Sequence, residues 1–198
     1  VFQKKILEHY SRSYLKLFIY KIINKKFNVK IVISNSHIFQ FEKFISDSIH
    51  GNLFVLYKNI YILNNRGEFL IYKNSKVNLD RKILVEQNVR WYKTSFITKE
   101  DKRNINCLDS IKCPLDIYKK GIFITHWQKG DCMKINKDNV EITKKISDIF
   151  IDNKVSQVDK KYYPILRDSN NQIIWIPKLE SNLVQNLSFS KQIFWVKN

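Results

Sequence analysis

Residues 163–177 read YPILRDSNNQIIWIP, with the turn-forming run Asp168-Ser169-Asn170-Asn171 between two apolar segments. Asp, Ser and Asn favour turns because their short side chains bond to the neighbouring backbone, and bulky apolar residues on both sides are typical of buried strands. The segment therefore predicts a β-hairpin. We expect a last strand, Ile193 to Val196, to join the same sheet.

The segment before this hairpin predicts another one. Gly121 to Trp127 has the composition of a strand, residues 128–131 that of a tight turn, and Cys132 to Ile135 that of the returning strand. Further along, a capping box that starts at Ser156 predicts a short helical turn carrying residues 160–161, which are both lysine.

A main helix is predicted over residues 144–153, where apolar side chains recur at helical spacing after a potential cap, Thr143. Lys144 and Lys145 would then lie in the first turn. A docked anion there would satisfy both the free backbone amides and the lysines. The alternative is that two exposed lysines in a lysine-rich chain have no role.

The N-terminal half predicts two helices followed by an antiparallel meander. Apolar residues recur at helical spacing over 12–26 and 37–49, with Ser36 to cap the second helix and Gly51 to stop it. The apolar pattern then alternates as in strands. A three-stranded meander is expected over 53–57, 60–63 and 69–72, and a separate strand over 90–98 in the less regular region that follows.

These elements place the chain in the α+β class. N-terminal helices with a small antiparallel meander are followed by a small C-terminal α/β domain of antiparallel strands with one main helix. The polar stretch 99–112 has few apolar residues and predicts a linker or long loop. We therefore expect a first domain over 1–98, a linker over 99–114 and a C-terminal domain over 115–198.

The charge of the chain favours a polyanionic partner. The formal net charge is +17, from 35 Lys and Arg against 18 Asp and Glu. Cationic side chains that neutralise phosphates release counterions and so gain affinity for nucleic acid. The alternative is drift in base composition, because 29 of the 35 cations are Lys, as an AT-rich genome encodes. The low acidic count favours nucleic-acid binding.

Metal binding and membrane insertion are not expected. The three cysteines, Cys107, Cys113 and Cys132, lack the paired spacing of a zinc site, and the four histidines are dispersed. The apolar runs are too short to cross a bilayer. We expect a cytoplasmic protein with reduced thiols and no metal.

Four sequence segments, taken in order, resemble the C-terminal domain of bacterial tRNA(Ile)-lysidine synthetases. That family has a Gly-Asp-Arg turn, a Lys-Lys-x-x-Asp-x-Phe-x-Asp helix, a Pro-bearing strand and a Trp-Val strand at comparable spacing. The matching segments here are 129–131, 143–154, 163–166 and 173–177. Residues 10 to 75 are similar in outline to the intermediate region of the family.

The resemblance implies a tRNA-modifying ligase. The family uses ATP to adenylate the wobble cytidine of the isoleucine tRNA with a CAU anticodon, and lysine then displaces AMP to give lysidine. ATP and Mg belong to an N-terminal catalytic domain whose phosphate loop has adjacent glycines. This chain has four glycines, none adjacent. No catalytic residue and no cofactor are therefore expected in it, and its implied partners are tRNA and the catalytic domain of the same polypeptide, with a homodimer left open.

The chain departs from the family at three places. Cys132 replaces the Arg of the turn, residues 139–142 replace a Gly-rich segment, and 178–180 replace Gly-x-Arg, with Glu180 in place of a cation. Either the RNA contacts have shifted to other lysines, or the domain has become structural. The basic residues around the matching segments are the candidate RNA-binding set: Lys129, Lys134, Lys144, Lys145, Lys154, Lys160, Lys161, Arg167 and Lys178.

Two other hypotheses are compatible with the sequence. A stand-alone basic module could bind nucleic acid, or proteins through Trp127, Trp175 and Trp195, although buried core positions are more usual for indoles. Asp148 and Asp152, four apart on one helix, could form an acid–base or Mg²⁺ pair, but a solvated helix face is the more common arrangement.

Overall fold

The computed structural model describes residues 1–74, 77–99, 107–137, 140–183 and 190–197. The chain divides into two compact units, Val1–Lys76 and Val77–Asn198. Both combine helices with antiparallel sheets, which confirms the α+β class. In the described part of the chain, no helix is both long and apolar enough to cross a bilayer.

The first unit packs two long helices and a one-turn helix on a four-stranded sheet. Its core joins the buried Ile19 of one helix, Phe41 of the next and Phe69 of the sheet. The sheet is antiparallel with the order β1-β4-β3-β2. The elements are β1 (Phe2–Gln3), α1 (Lys4–Leu7), α2 (Arg12–Phe27), α3 (Asn35–Asp47), β2 (Leu53–Tyr57), β3 (Ile60–Asn65) and β4 (Glu68–Lys73).

Most of these elements agree with the predictions made from local sequence patterns. Both predicted helices and the three-stranded meander are confirmed. Helix α3 lies about two residues earlier than predicted, because the hydroxyl of Ser34 rather than Ser36 accepts the amide of His37, at 3.2 Å. The helix ends before Ser48, so Gly51 does not terminate it.

The second unit contains two sheets and a separate hairpin. Its elements are β5 (Lys82–Leu84), β6 (Asn88–Trp91), β7 (Thr94–Lys99), β8 (Cys107–Pro114), α4 (Leu115–Lys120), β9 (Phe123–Thr125), β10 (Cys132–Lys137), β11 (Val140–Lys145), α5 (Ile146–Asp152), α6 (Gln157–Lys160), β12 (Ile165–Arg167), β13 (Ile173–Ile176), β14 (Glu180–Ser181) and β15 (Ser190–Lys197). The five-stranded sheet has the order β14-β13-β12-β9-β5, the four-stranded sheet β6-β7-β15-β8, and β10 pairs with β11. All these pairings are antiparallel.

The β12–β13 hairpin is confirmed, but two predicted pairings are wrong. Strand β9 pairs with β12 and β5, so it does not form a hairpin with β10. Strand β15 lies between β7 and β8 rather than in the sheet of β12 and β13. Residues 90–98 form the β6–β7 hairpin instead of one strand, because Tyr92 adopts a left-handed conformation with φ 52°.

The predicted main helix begins later than expected. Val140–Lys145 form strand β11, so Lys144 and Lys145 are strand residues and Thr143 caps no helix. Helix α5 covers only Ile146–Asp152 and has no side-chain cap. β-Branched residues at 140, 142 and 143 favour the strand. The predicted anion site, with Lys144 and Lys145 in the first turn of a helix, is therefore wrong.

The predicted domain limits also differ from the two units. The division falls after Lys76 rather than between 98 and 115, because β6 and β7 belong to the same sheet as β15 and β8. Of the predicted linker over 99–114, residues 107–114 form strand β8. Residues 100–106 lie outside the described residues.

Candidate nucleic-acid interface

The β10–β11 hairpin presents one buried and one exposed face. Met133 lies opposite Lys144, and Ile135 opposite Ile142, on the inner face. Met133 and Ile135 are 2% and 7% exposed, which anchors the hairpin to the core around Phe150. Side chains alternate between the faces of a strand, so the intervening residues face solvent. This outer hairpin face consists of Cys132, Lys134, Asn136, Glu141, Thr143 and Lys145, all exposed.

Two of the candidate lysines on this hairpin form ion pairs. On the outer hairpin face, Lys134 Nζ lies 2.7 Å from Glu141 Oε1. From the inner face, Lys144 Nζ reaches Asp152 Oδ2 on α5, at 2.5 Å. The hydrogen bond to Asp152 raises the pKa of Lys144. Lys144 is therefore cationic and directed at α5, whereas Lys145 points outward.

Arg167 belongs to the interior and not to the interface. It is 6% exposed, and its Nη2 lies 2.5 Å from the Asp131 carboxylate. Its Nε donates to Thr125 Oγ1 at 2.9 Å, and its Nη1 to the Asn171 carbonyl at 3.3 Å. A buried guanidinium with these partners ties two turns to the sheet. Its inclusion in the RNA-binding set was wrong, because Asp131 is brought to it from 36 positions upstream.

The segment carrying Lys160 and Lys161 is held by side chains from elsewhere. The hydroxyl of Ser156 accepts the amide of Asp159 at 3.1 Å, which confirms the predicted cap of α6. His126 Nδ1 lies 2.8 Å from the Lys161 carbonyl oxygen. The ammonium of Lys160 lies 5.9 Å from the ring centroid of Phe150 on α5. Lys160 and Lys144 thus both border α5.

An aromatic cluster, defined here as Arg81, Trp91, Tyr92, His126 and Tyr162, fixes this segment. Trp91 Nε1 donates to the Tyr162 carbonyl at 2.8 Å, and the Tyr92 hydroxyl lies 3.0 Å from His126 Nε2. The Arg81 guanidinium lies over the Trp91 and Tyr92 rings, at 5.3 and 5.4 Å. Burial lowers the pKa of His126, the hydrogen bond to the Lys161 carbonyl opposes this, and Arg81 lowers it further.

Three cations that the sequence analysis missed lie at this cluster. Besides Arg81, Arg90 donates from Nε to the Tyr92 carbonyl at 3.4 Å, and Lys93 is exposed in the same turn. The run Arg90-Trp91-Tyr92-Lys93, in which two aromatic rings lie between two cations, was a signal that could have identified Arg90 and Lys93. Arg81, Arg90 and Lys93 therefore lie at the cluster that holds the segment of Lys160 and Lys161.

The other candidate lysines lie at the ends of elements. Lys129 is exposed in the turn before β10, and Lys154 is exposed after α5. Lys178 lies in the β13–β14 turn, where its backbone amide donates to Asp109. With Asp109, Glu180 and others it lines a cleft of about 490 Å³ that carries both signs of charge. An RNA phosphate would find acidic side chains beside Lys178, so this lysine is the weakest of the set.

The tryptophans and aspartates of the two alternative hypotheses differ in burial and in pairing. Trp175 is buried, while Trp127 and Trp195 are half-buried. Asp152 is paired with Lys144. Among the described residues, no group of three or more His, Cys, Asp or Glu could hold a metal. Of the departures from the family pattern, Cys132 lies on the outer hairpin face opposite Lys145, and residue 139 lies outside the described residues.

The chain is similar in sequence to enzymes named tRNA(Ile)-lysidine synthase. No family model matches it. The tRNA(Ile)-lysidine synthase of Bacillus subtilis strain 168 is 33% identical over 92 residues, which are 46% of this chain and 16% of that protein. The enzyme of Shouchella clausii strain KSM-K16 is 25% identical over 95 residues, 48% of this chain and 20% of that protein. The enzyme of Oceanobacillus iheyensis is 32% identical over 81 residues, 41% of this chain and 17% of that protein.

This chain is also similar to a solved structure described as the TilS C-terminal domain. The matched region covers 59% of this chain and 98% of the chain in that structure. Its sequence identity is 16% and its TM-score 0.44. The matched segments span 13 to 20% of the length of the curated relatives. These sequence matches confirm the resemblance proposed from residues 129–177: the chain is related to a part of the tRNA(Ile)-lysidine synthases.

Proposed function

We propose that this chain is the non-catalytic, tRNA-binding part of a tRNA(Ile)-lysidine synthase. The observation that carries the proposal is its sequence relationship to four such enzymes. The net charge of +17 supports it, because a surface rich in cations gains affinity for RNA by displacing counterions. The chain would hold the tRNA while a catalytic domain acts on it.

The parent reaction follows from the same family. The substrate would be the isoleucine tRNA with a CAU anticodon, whose wobble cytidine is converted to lysidine with lysine and ATP. ATP and Mg would bind to the catalytic domain and not to this chain. Ionic contacts to the sugar–phosphate backbone position an RNA without reading its bases, so tRNA selectivity from this chain would rest on shape.

Two surfaces of the second unit are the proposed contact region. One is the outer hairpin face with Lys134 and Lys145, and the other is the segment of Lys160 and Lys161 at the aromatic cluster. Lys144 joins the hairpin to α5 through Asp152, and Lys160 borders α5 through Phe150. Because the aromatic cluster holds the backbone of residues 161 and 162, that backbone would need little further ordering when an RNA binds.

Filter binding of the full chain to unmodified isoleucine tRNA across a salt series tests the proposal. We expect log Kobs to fall linearly with log salt, by about 0.7 to 0.9 for each phosphate neutralised. The double variant Lys160→Ala, Lys161→Ala should reduce this slope by about 1 to 2. The charge-matched control is Lys119→Ala, Lys120→Ala on α4, which should leave the slope unchanged.

Absence of tRNA binding at low salt, or a slope near zero, would overturn the proposal. If both double variants reduce the salt slope equally, the chain still binds RNA, but it does so through its overall charge. That outcome would overturn the assignment of the contact region to Lys160 and Lys161.

A further inference from the structure

We propose that the outer hairpin face lies in the minor groove of double-helical RNA and distinguishes RNA from DNA through the ribose hydroxyls. The inference rests on the proposed function and names the part of the RNA that this surface takes. The hairpin is the element best placed for it, because its inner face is anchored to the core and its outer face is exposed.

The chemistry of the face is mixed rather than purely cationic. Two cations, Lys134 and Lys145, alternate along the strands with two neutral hydrogen-bonding groups, Asn136 and Thr143. Lysine ammonium groups attract phosphates but do not tell RNA from DNA. An amide and a hydroxyl can both donate and accept, as the ribose 2′-hydroxyl does. The combination fits a surface where phosphates flank a row of 2′-hydroxyls.

The dimensions of the hairpin fit the same groove. Six residue pairs join β10 to β11. At a rise of about 3.4 Å per residue the ribbon is roughly 17 Å long, and its strands are about 4.8 Å apart. The minor groove of A-form RNA is wide and shallow and displays the 2′-hydroxyls, whereas its major groove is too deep and narrow for side chains to read.

The hairpin also extends beyond the part that packs on the core. Met133 is buried at its base, but Val140, near the other end of the inner face, is 60% exposed. A ribbon with a solvated end can approach a groove without a clash from the rest of the unit. Its base is braced by the Lys144–Asp152 ion pair, so its position is defined before RNA binds.

Glu141 should limit the affinity of the outer hairpin face for RNA. It lies on the same face and holds Lys134 at 2.7 Å, with both side chains more than half exposed. A phosphate must compete with this carboxylate for Lys134. Neutralising Glu141 should therefore tighten RNA binding, whereas removing Lys134 should weaken it. These opposite signs separate a direct contact from a loss of folding.

The experiment compares the full chain and its variants on matched duplexes. The probes are an RNA duplex of about 16 base pairs, a DNA duplex of the same sequence and the RNA duplex with 2′-deoxy sugars in one strand. The wild-type chain should prefer the RNA duplex. The double variant Asn136→Leu, Thr143→Val should lose roughly fivefold to tenfold in affinity for the RNA duplex and keep its affinity for DNA. Glu141→Gln should bind both duplexes about threefold more tightly.

Equal wild-type affinity for the RNA and 2′-deoxy duplexes would overturn the inference, as would an unchanged RNA affinity in the double variant. If the chain binds tRNA and either result is found, the proposed function stands and the inference fails. If the chain binds no tRNA, both fail. The 2′-deoxy probe needs only the wild-type chain, so the test holds even if a variant is unstable.

Discussion

Replacing Arg167 by Ala should destabilise the second unit strongly and leave RNA contacts intact. The Arg167 and Asp131 side chains are 7% and 14% exposed, so solvent screens their pairing little. Removing one partner of a buried ion pair costs about 3–5 kcal/mol, because the other charge remains buried. The Gln128 amide still donates to Asp131 at 2.7 Å, which favours the lower end, about 3 kcal/mol.

The assay is urea unfolding followed by tryptophan fluorescence and circular dichroism, with the free energy of unfolding extrapolated to water. Lys129→Ala, an exposed change in the turn that contains Asp131, is the matched control and should change stability by less than about 0.5 kcal/mol. A loss below about 1 kcal/mol in Arg167→Ala, combined with weaker tRNA binding by the folded variant, would refute the reasoning. Arg167 would then face the RNA.

Three further predictions concern the interior of the second unit. The folded state lowers the pKa of His126, so between that pKa and about 6.5 the unfolded chain binds more protons. Stability should therefore fall as pH drops below about 6.5, and less so in His126→Gln, as measured by urea unfolding at about pH 7.5 and about pH 5.5. Burial raises the pKa of Cys113 to about 12, so a thiol reagent should label the exposed Cys107 and Cys132 quickly and Cys113 only on unfolding, and fast labelling of all three would contradict this. Trp175→Ala should cost about 3–5 kcal/mol in unfolding free energy, since the indole is 3% exposed, and a near-neutral effect would return Trp175 to the candidates for a protein contact.

Elements with strong local signals could be predicted from the sequence. The run Asp168-Ser169-Asn170-Asn171 predicted the β12–β13 hairpin, and helical apolar spacing predicted α2 and α3, although the predicted cap, Ser36, was wrong. These signals depend only on neighbouring residues, and here the local preferences agree with the overall fold. The α+β class followed from them.

Strand partners could not be predicted in the same way. Strand β15 pairs with β7 and β8, whose residues lie about ninety positions upstream, and an apolar strand fits either sheet equally well by composition. Lys144 and Lys145 show the same limit, because their pairing with β10 makes them strand residues where the first turn of a helix was predicted. Long-range pairing overrode the local pattern at both places.

A basic surface could be predicted from the sequence, but which residues form it could not. Lys134 and Lys145 share the outer hairpin face, as a basic surface required, whereas Arg167 is buried by a partner distant in sequence. The aromatic cluster was missed because Arg81, His126 and Tyr162 come from three separate segments. Only folding brings their side chains to the backbone of residues 161 and 162.

Lysine acetylation of the folded chain with and without tRNA, read out by mass spectrometry, tests whether the outer hairpin face and the segment of Lys160 and Lys161 contact the RNA. We expect tRNA to protect Lys134, Lys145, Lys160 and Lys161, while Lys119 and Lys120 remain reactive. Protection spread evenly over all lysines, or protection at positions 119 and 120 alone, would contradict it.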